Sequence, residues 1–186
     1  MSTASLLDHL GIAEAGKVEA LAGHHDEALR HYREALRLAV SQAAPEVFFR
    51  HYTQCVLESL ERSGSYPEVI EYCQRADSHY AELENSRGFL TRLQRRDHGA
   101  TLERLGVCQL KAGSTTDARA SLERAVAVAG SPLPVAEALL GWLRRALRVD
   151  TRRIVALQDR HHYFSVRPDQ VDPARATTLP DSLPPA

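Results

Sequence analysis

The sequence predicts an all-α protein, an α-solenoid of three irregular helical hairpins closed by a C-terminal capping helix. Ala, Leu, Glu and Arg dominate the 186 residues while aromatic residues make up only 6%, a composition that favours helices over sandwiches or barrels. Apolar residues recur at i, i+3, i+4 and i+7 in successive stretches. A face of small, large and small residues also follows a turn glycine three times, at Gly23, Gly64 and Gly113.

The elements follow in order. Ser5 and Asp8 make a start resembling a capping box, after which Leu6, Leu10, Ile12, Ala15 and Val18 form the apolar side of a first helix that Gly23 ends. A second helix runs from about Asp26 to Gln42 and carries Ala28, Leu29, Tyr32, Ala35 and Leu36 on one face. Ala28 and Ala35 permit close helix approach, and Tyr32 between them supplies bulk. Pro45 opens a third helix reaching Ser63, with Phe48, Tyr52, Val56, Leu57 and Leu60 inward. Past Gly64, Ser65, Pro67 and Glu68 signal a fourth helix to about Glu84, on which Val69, Ile70, Cys73 and Ala76 repeat the face of the second. A longer helical stretch between Asn85 and Ala112, with interruption possible at Gly88 or Gly99, leads to Gly113. Ser114 and Asp117 then start a helix bearing Ala118, Leu122, Ala125 and Val126. Ser131 and Pro132 start the capping helix, which carries Val135, Leu139, Trp142, Leu143, Ala146 and Leu147 and extends towards Ile154, Val155 and Leu157. Residues 1–158 are therefore expected to form the repeat domain and 159–186 a Pro-rich, flexible tail, because Pro168, Pro173, Pro180, Pro184 and Pro185 cannot sustain a helix. The apolar run His161-His162-Tyr163-Phe164-Ser165-Val166 before it is expected to fold back on the helices.

The segments GHHDEALRHYREAL, GSYPEVIEYCQRA and LGVCQLKAGSTTDARASLERA resemble tetratricopeptide repeats of the long-helix variety found in bacterial regulators. The resemblance covers about Leu6 to Gly130. Its turn glycine falls on Gly23, Gly64 and Gly113, and its two small positions on Ala28 and Ala35, Val69 and Ala76, Ala118 and Ala125. The family's leucine-glycine pair is matched by Leu105-Gly106 and in part by Ala15-Gly16, whereas Val56-Leu57 departs from it. The turn glycines are 41 and 49 residues apart, wider than the ~34 of the tetratricopeptide period.

The resemblance implies a receptor for peptides or proteins, with side chains of the first helix of each hairpin lining a groove. By register these are Lys17, His51, Gln54, Glu58, Glu61, Arg62, Glu103 and Lys111. The family's version that clamps terminal carboxylates is not expected, since the apolar Ala13 stands where its first lysine belongs. A second candidate surface is the basic end formed by Arg144, Arg145, Arg148, Arg152 and Arg153, a partly aligned helical stripe that reads as a solvated face or as one able to meet an acidic protein partner ahead of phosphate groups or RNA. A further cluster, Arg87, Arg92, Arg95 and Arg96, has no interleaved aromatic residues and reads as a solvated face.

Other classes are disfavoured. A net charge of -1 supplies no field for nucleic acid. Lys occurs only at Lys17 and Lys111 while Arg is frequent, the codon bias of a GC-rich bacterial genome rather than a sign of phosphate recognition. Cys55, Cys73 and Cys108 form no metal-binding pair and are expected as buried thiols. His24, His25 and His31, and His161 and His162 with Asp159, lack a convergent metal geometry by their spacing. There is no phosphate loop, no G-x-S-x-G and no H-E-x-x-H, so neither catalysis nor a cofactor is expected. No run approaches the ~18 apolar residues of a membrane span, and without an export signal the chain is expected in the cytoplasm. The expectation is a non-catalytic adaptor or scaffold binding a protein or peptide, with a peptide-sensing regulatory subunit of an enzyme or transcription complex as the alternative.

Overall fold

A computed structural model describes residues 8–179. Ser5, Leu6, Pro180, Pro184 and Pro185, all used above, lie outside the described residues. The described chain is all-helical and contains no strand: α1 His9–Leu21, α2 His25–Ser41, α3 Glu46–Arg62, α4 Tyr66–Arg87, α5 Arg92–Lys111, α6 Thr115–Ala129, α7 Pro134–Arg144 and α8 Thr151–Arg160, followed by 3-10 turns at Pro168–Gln170 and Pro173–Arg175. None of these helices is long and apolar enough to cross a membrane. The chain forms two compact units, one of α1–α3 with the segment from Phe164 onward, the other spanning Ser65–Tyr163.

In the first unit α1 begins at Asp8, whose carboxylate accepts the Leu10 N–H. The helix is rich in small residues, and one of them fixes how α2 packs. A Cβ at Gly16 would stand 2.6 Å from Cε1 of Tyr32, so the tyrosine ring lies directly on the α1 backbone between the buried Ala28 and Ala35. The turn is made by Gly23 at φ +85°, a conformation that an L side chain adopts only with strain. α3 closes the core with Tyr52, whose hydroxyl meets Nδ1 of His9 at 2.6 Å, and with Phe48, edge-on to the same imidazole.

The second unit is arranged around α5, which packs against α4, α6, α7 and α8. This accounts for an uninterrupted buried run from Leu102 to Leu110 that includes Glu103, Arg104 and Gln109. The α5–α6 pair repeats the packing of α1 and α2. Gly106 leaves room for Leu122, whose Cγ would be 2.6 Å from an added Cβ, and Gly113 makes the turn at φ +90°. Gly64 takes the same left-handed conformation at φ +84° after α3.

Of the two interruptions expected after Asn85, the chain breaks at Gly88, φ +79°, and restarts at a reciprocal capping box between Thr91 and Gln94; Gly99 stays inside α5, its Cα face against Ala129. Three expectations need correction. The capping helix is two helices, because the chain turns at Ala146, φ +51°, and Asp150 caps a new start by accepting the Arg153 N–H. The basic stripe therefore does not exist as one helical face: Arg144 ends α7, Arg145 and Arg148 lie in the connection, and Arg152 and Arg153 sit in the first turn of α8. The segment expected as a flexible tail is seated on the first unit as far as Leu179, which is buried with Ile12, Ala13, Ala35, Leu38, Ala39 and Tyr52.

Candidate binding groove

The first unit brings six of the eight groove residues predicted from register onto α1 and α3. Lys17 pairs with Glu14 one turn earlier at 2.9 Å. His51 lies half-buried on α3, its pKa lowered by burial and then by the Lys17 ammonium. Gln54 and Glu58 follow on the same helix face, with Glu61 and Arg62 one turn beyond. Glu58 and Glu61 are buried, while Arg62 is exposed. Glu58 is 1% exposed, because residues 164–166 of the chain cover it.

The geometry at Glu58 shows how this face holds the segment. One carboxylate oxygen accepts the Ser165 N–H at 2.7 Å and the Gln54 amide at 3.2 Å, and the other accepts the Val166 N–H at 3.0 Å. Two consecutive main-chain donors are thus held by one buried side chain. On either side of them, the guanidinium of Arg62 lies 4.0 Å from the centre of the Phe164 ring, and Val166 enters a pocket with Ala20, Ala28, Tyr32 and Cys55. A cation over an aromatic face contributes ~0.5–2 kcal/mol depending on desolvation.

The segment then runs along α1. Glu14 accepts the Asp172 N–H at 2.6 Å. Burial pushes the Glu14 carboxyl up, but the Asp172 N–H and the Lys17 ammonium outweigh it and hold its pKa below the usual glutamate value. Thr177 donates its N–H to the Gly11 carbonyl at 2.9 Å, and Gly11 makes this possible, since a Cβ there would stand 2.5 Å from the Thr177 hydroxyl. Leu179 donates its N–H to Nε2 of the buried His31 at 3.2 Å. Between these anchors the side chains of Pro168, Asp169, Gln170, Asp172, Pro173, Ala174 and Arg175 are exposed. The protein face therefore offers acceptors to an extended polypeptide that offers donors, the opposite polarity to a carboxylate clamp, and Ala13 is buried in the core beside it.

The remaining predicted residues serve other contacts. In the second unit Glu103 accepts the Ala136 N–H at 2.8 Å and caps the first turn of α7, while Lys111 donates to Gln158 of α8 at 2.9 Å. At the basic end, Arg145 bonds the Gly141 carbonyl, and Arg153 bonds the Arg148 carbonyl while lying over the Trp142 ring; Arg144 and Arg152 are exposed.

Sequence reasoning missed Glu14 and His31 on the groove and, in the second unit, the meeting of Asp77, His98 and Arg124 from three helices. Asp77 receives both Arg124 guanidinium nitrogens at 2.8 Å and Nε2 of His98 at 2.7 Å, with His98 stacked on Tyr80. Burial raises the Asp77 pKa, but the bonds from Arg124 and His98 more than offset it and hold the group ionised. Only Tyr80, three residues beyond Asp77 on α4, hinted that this face packs inward.

Among the described residues no group of three His, Cys, Asp or Glu side chains stands together as a metal site, and His24 turns instead to Glu19 and His31 to the Glu27 carbonyl. The three cysteines are buried and form no disulfide. No protein-family model, no curated protein and no solved structure matches the chain.

Proposed function

We propose that the chain is a non-catalytic protein-interaction module, an adaptor or scaffold built from tetratricopeptide-like hairpins, that binds an extended segment of a partner on the acceptor-lined face of α1 and α3. The observation carrying this reading is the buried Glu58 carboxylate, which grips the main chain of an extended segment at two successive residues. Support for the repeat character comes from the equivalent roles of Gly16 under Tyr32 and Gly106 under Leu122, each pair placed alike around its turn glycine. The test is quantitative recovery of partners from the native source by the full chain and by its Glu58→Gln and Arg62→Ala variants. A protein retained by the parent and lost from both variants supports the reading; identical recoveries with all three baits overturn it.

The alternative, a peptide-sensing regulatory subunit, is favoured by one observation: the face is already covered by the chain's own residues 164–179. Binding there must release a segment, and a released segment is a signal. A peptide-dependent change in the X-ray scattering profile supports it, and a constant profile at saturating peptide counts against it.

A further inference from the structure

We infer that residues 164–179 are a built-in competitor, and that the segment the groove takes from a partner carries the same signature: an aromatic residue, one intervening residue, and a valine. The inference rests on the binding role proposed above and specifies its ligand.

The chemistry of the site dictates these features. Glu58 is buried and hydrogen-bonded on both oxygens by main-chain N–H groups; a buried acceptor stripped of its donors carries a desolvation cost, so any replacement must supply two consecutive N–H groups in extended conformation. This excludes the interior of a helix, whose N–H groups are already used, and excludes proline at either of the two positions. Arg62 lies over a ring on one side, and on the other Val166 is buried with Ala20, Ala28, Tyr32 and Cys55, with Val171 packed against the same cluster. The chain's own occupant satisfies this with Phe164, Ser165 and Val166. It forms no helix or strand, only two 3-10 turns; beyond residue 166 its main chain is anchored at Asp172, Thr177 and Leu179, and its apolar contacts are the spaced side chains Val171 and Leu179. A segment held at spaced anchors by main-chain bonds can be replaced stepwise by another with the same backbone.

Because the resident segment is tethered, it competes at an effective concentration on the order of millimolar. A free peptide is therefore tested against a full-length chain whose own segment is weakened outside the groove wall, with Val166→Ser. The probe is a fluorescent peptide of sequence YFSVRPDQVDPARATTL, matching residues 163–179, followed by anisotropy. The expected result is binding at least ~10-fold tighter to the Val166→Ser chain than to the parent, lost when the peptide's phenylalanine or valine is replaced by serine. Equal, weak binding to both folded chains overturns the inference, as does binding indifferent to the phenylalanine and valine. Should Val166→Ser fail to fold, the parent chain decides alone: millimolar peptide must accelerate hydrogen exchange at Ser165 and Val166, and unchanged exchange rejects the competitor role. A partner recovered through Glu58 with no peptide effect would leave the adaptor reading intact and refute only this signature.

Discussion

His31 receives the Leu179 N–H on Nε2 at 3.2 Å because its other nitrogen is committed to the Glu27 carbonyl at 2.8 Å. A carbonyl only accepts, so Nδ1 carries the proton and Nε2 presents its lone pair. The tautomer that a turn of α2 imposes thus anchors the far end of the C-terminal segment. Replacing the acceptor by His31→Phe leaves a buried N–H unmet, at a cost of ~1–3 kcal/mol. Trypsin cleavage after the exposed Arg175 should accelerate by roughly 5- to 150-fold relative to the parent, the same energy read as local opening; an unchanged rate would show that this bond does not hold the segment.

The Glu14 contact carries a pH dependence of definite sign. Its folded pKa is lowered, so its contribution is complete above the unfolded value of about 4.3 and is lost as pH falls through the lower folded value. The Asp172 amide proton, followed by NMR, should titrate with Glu14 below the ordinary glutamate range, and Glu14→Gln should abolish that titration. A Glu14 titration at or above the ordinary range would contradict the arrangement.

In the second unit Asp77 ties α4 to α5 and α6 through His98 and Arg124. Asp77→Asn removes the charge that both partners require and should lower stability by ~1–3 kcal/mol, measured as a shift in the urea midpoint. The Arg124→Leu change should cost less, because Arg124 is 53% exposed at its side chain and exposed pairs contribute ~1 kcal/mol or less.

Two helical glycines should respond in opposite directions to the same substitution. At Gly99 a Cβ would come within 2.4 Å of the Ala129 Cβ and 2.7 Å of its Cα, so Gly99→Ala forces α5 from α6 and should destabilise by ~1–3 kcal/mol. At Gly141, inside α7, nothing lies within 4 Å, so Gly141→Ala should stabilise by up to ~1 kcal/mol through helix propensity. Thermal melts of the two variants on either side of the parent would bear this out, and a drop for both would refute the open space at Gly141.

The helices were legible because their signals are local. Apolar spacing and the left-handed glycines Gly23, Gly64 and Gly113 place six of the eight close to where they lie. The break between Leu143 and Asp150 was hidden because Leu147, Ile154 and Leu157 continue the helical apolar spacing, and the interruption comes from Ala146, which has no turn signature. The C-terminal segment was misread for a related reason. Its prolines do exclude a helix, but an extended chain can still be held by main-chain donors that every residue except proline carries. Register put Glu58 on the proper face, and the apolar run ending at Val166 was expected to fold back, yet nothing in either stretch paired the two across more than a hundred positions.

The thiols of Cys55, Cys73 and Cys108 are buried and fall one each on α3, α4 and α5, and Cys55 packs with Val166 of the C-terminal segment. An alkylating reagent reaches Cys73 and Cys108 when the packing of α4 and α5 opens and Cys55 when the C-terminal segment or α3 lifts, so modification mapped by mass would time separate openings of the unaltered chain, with no engineered reporter required.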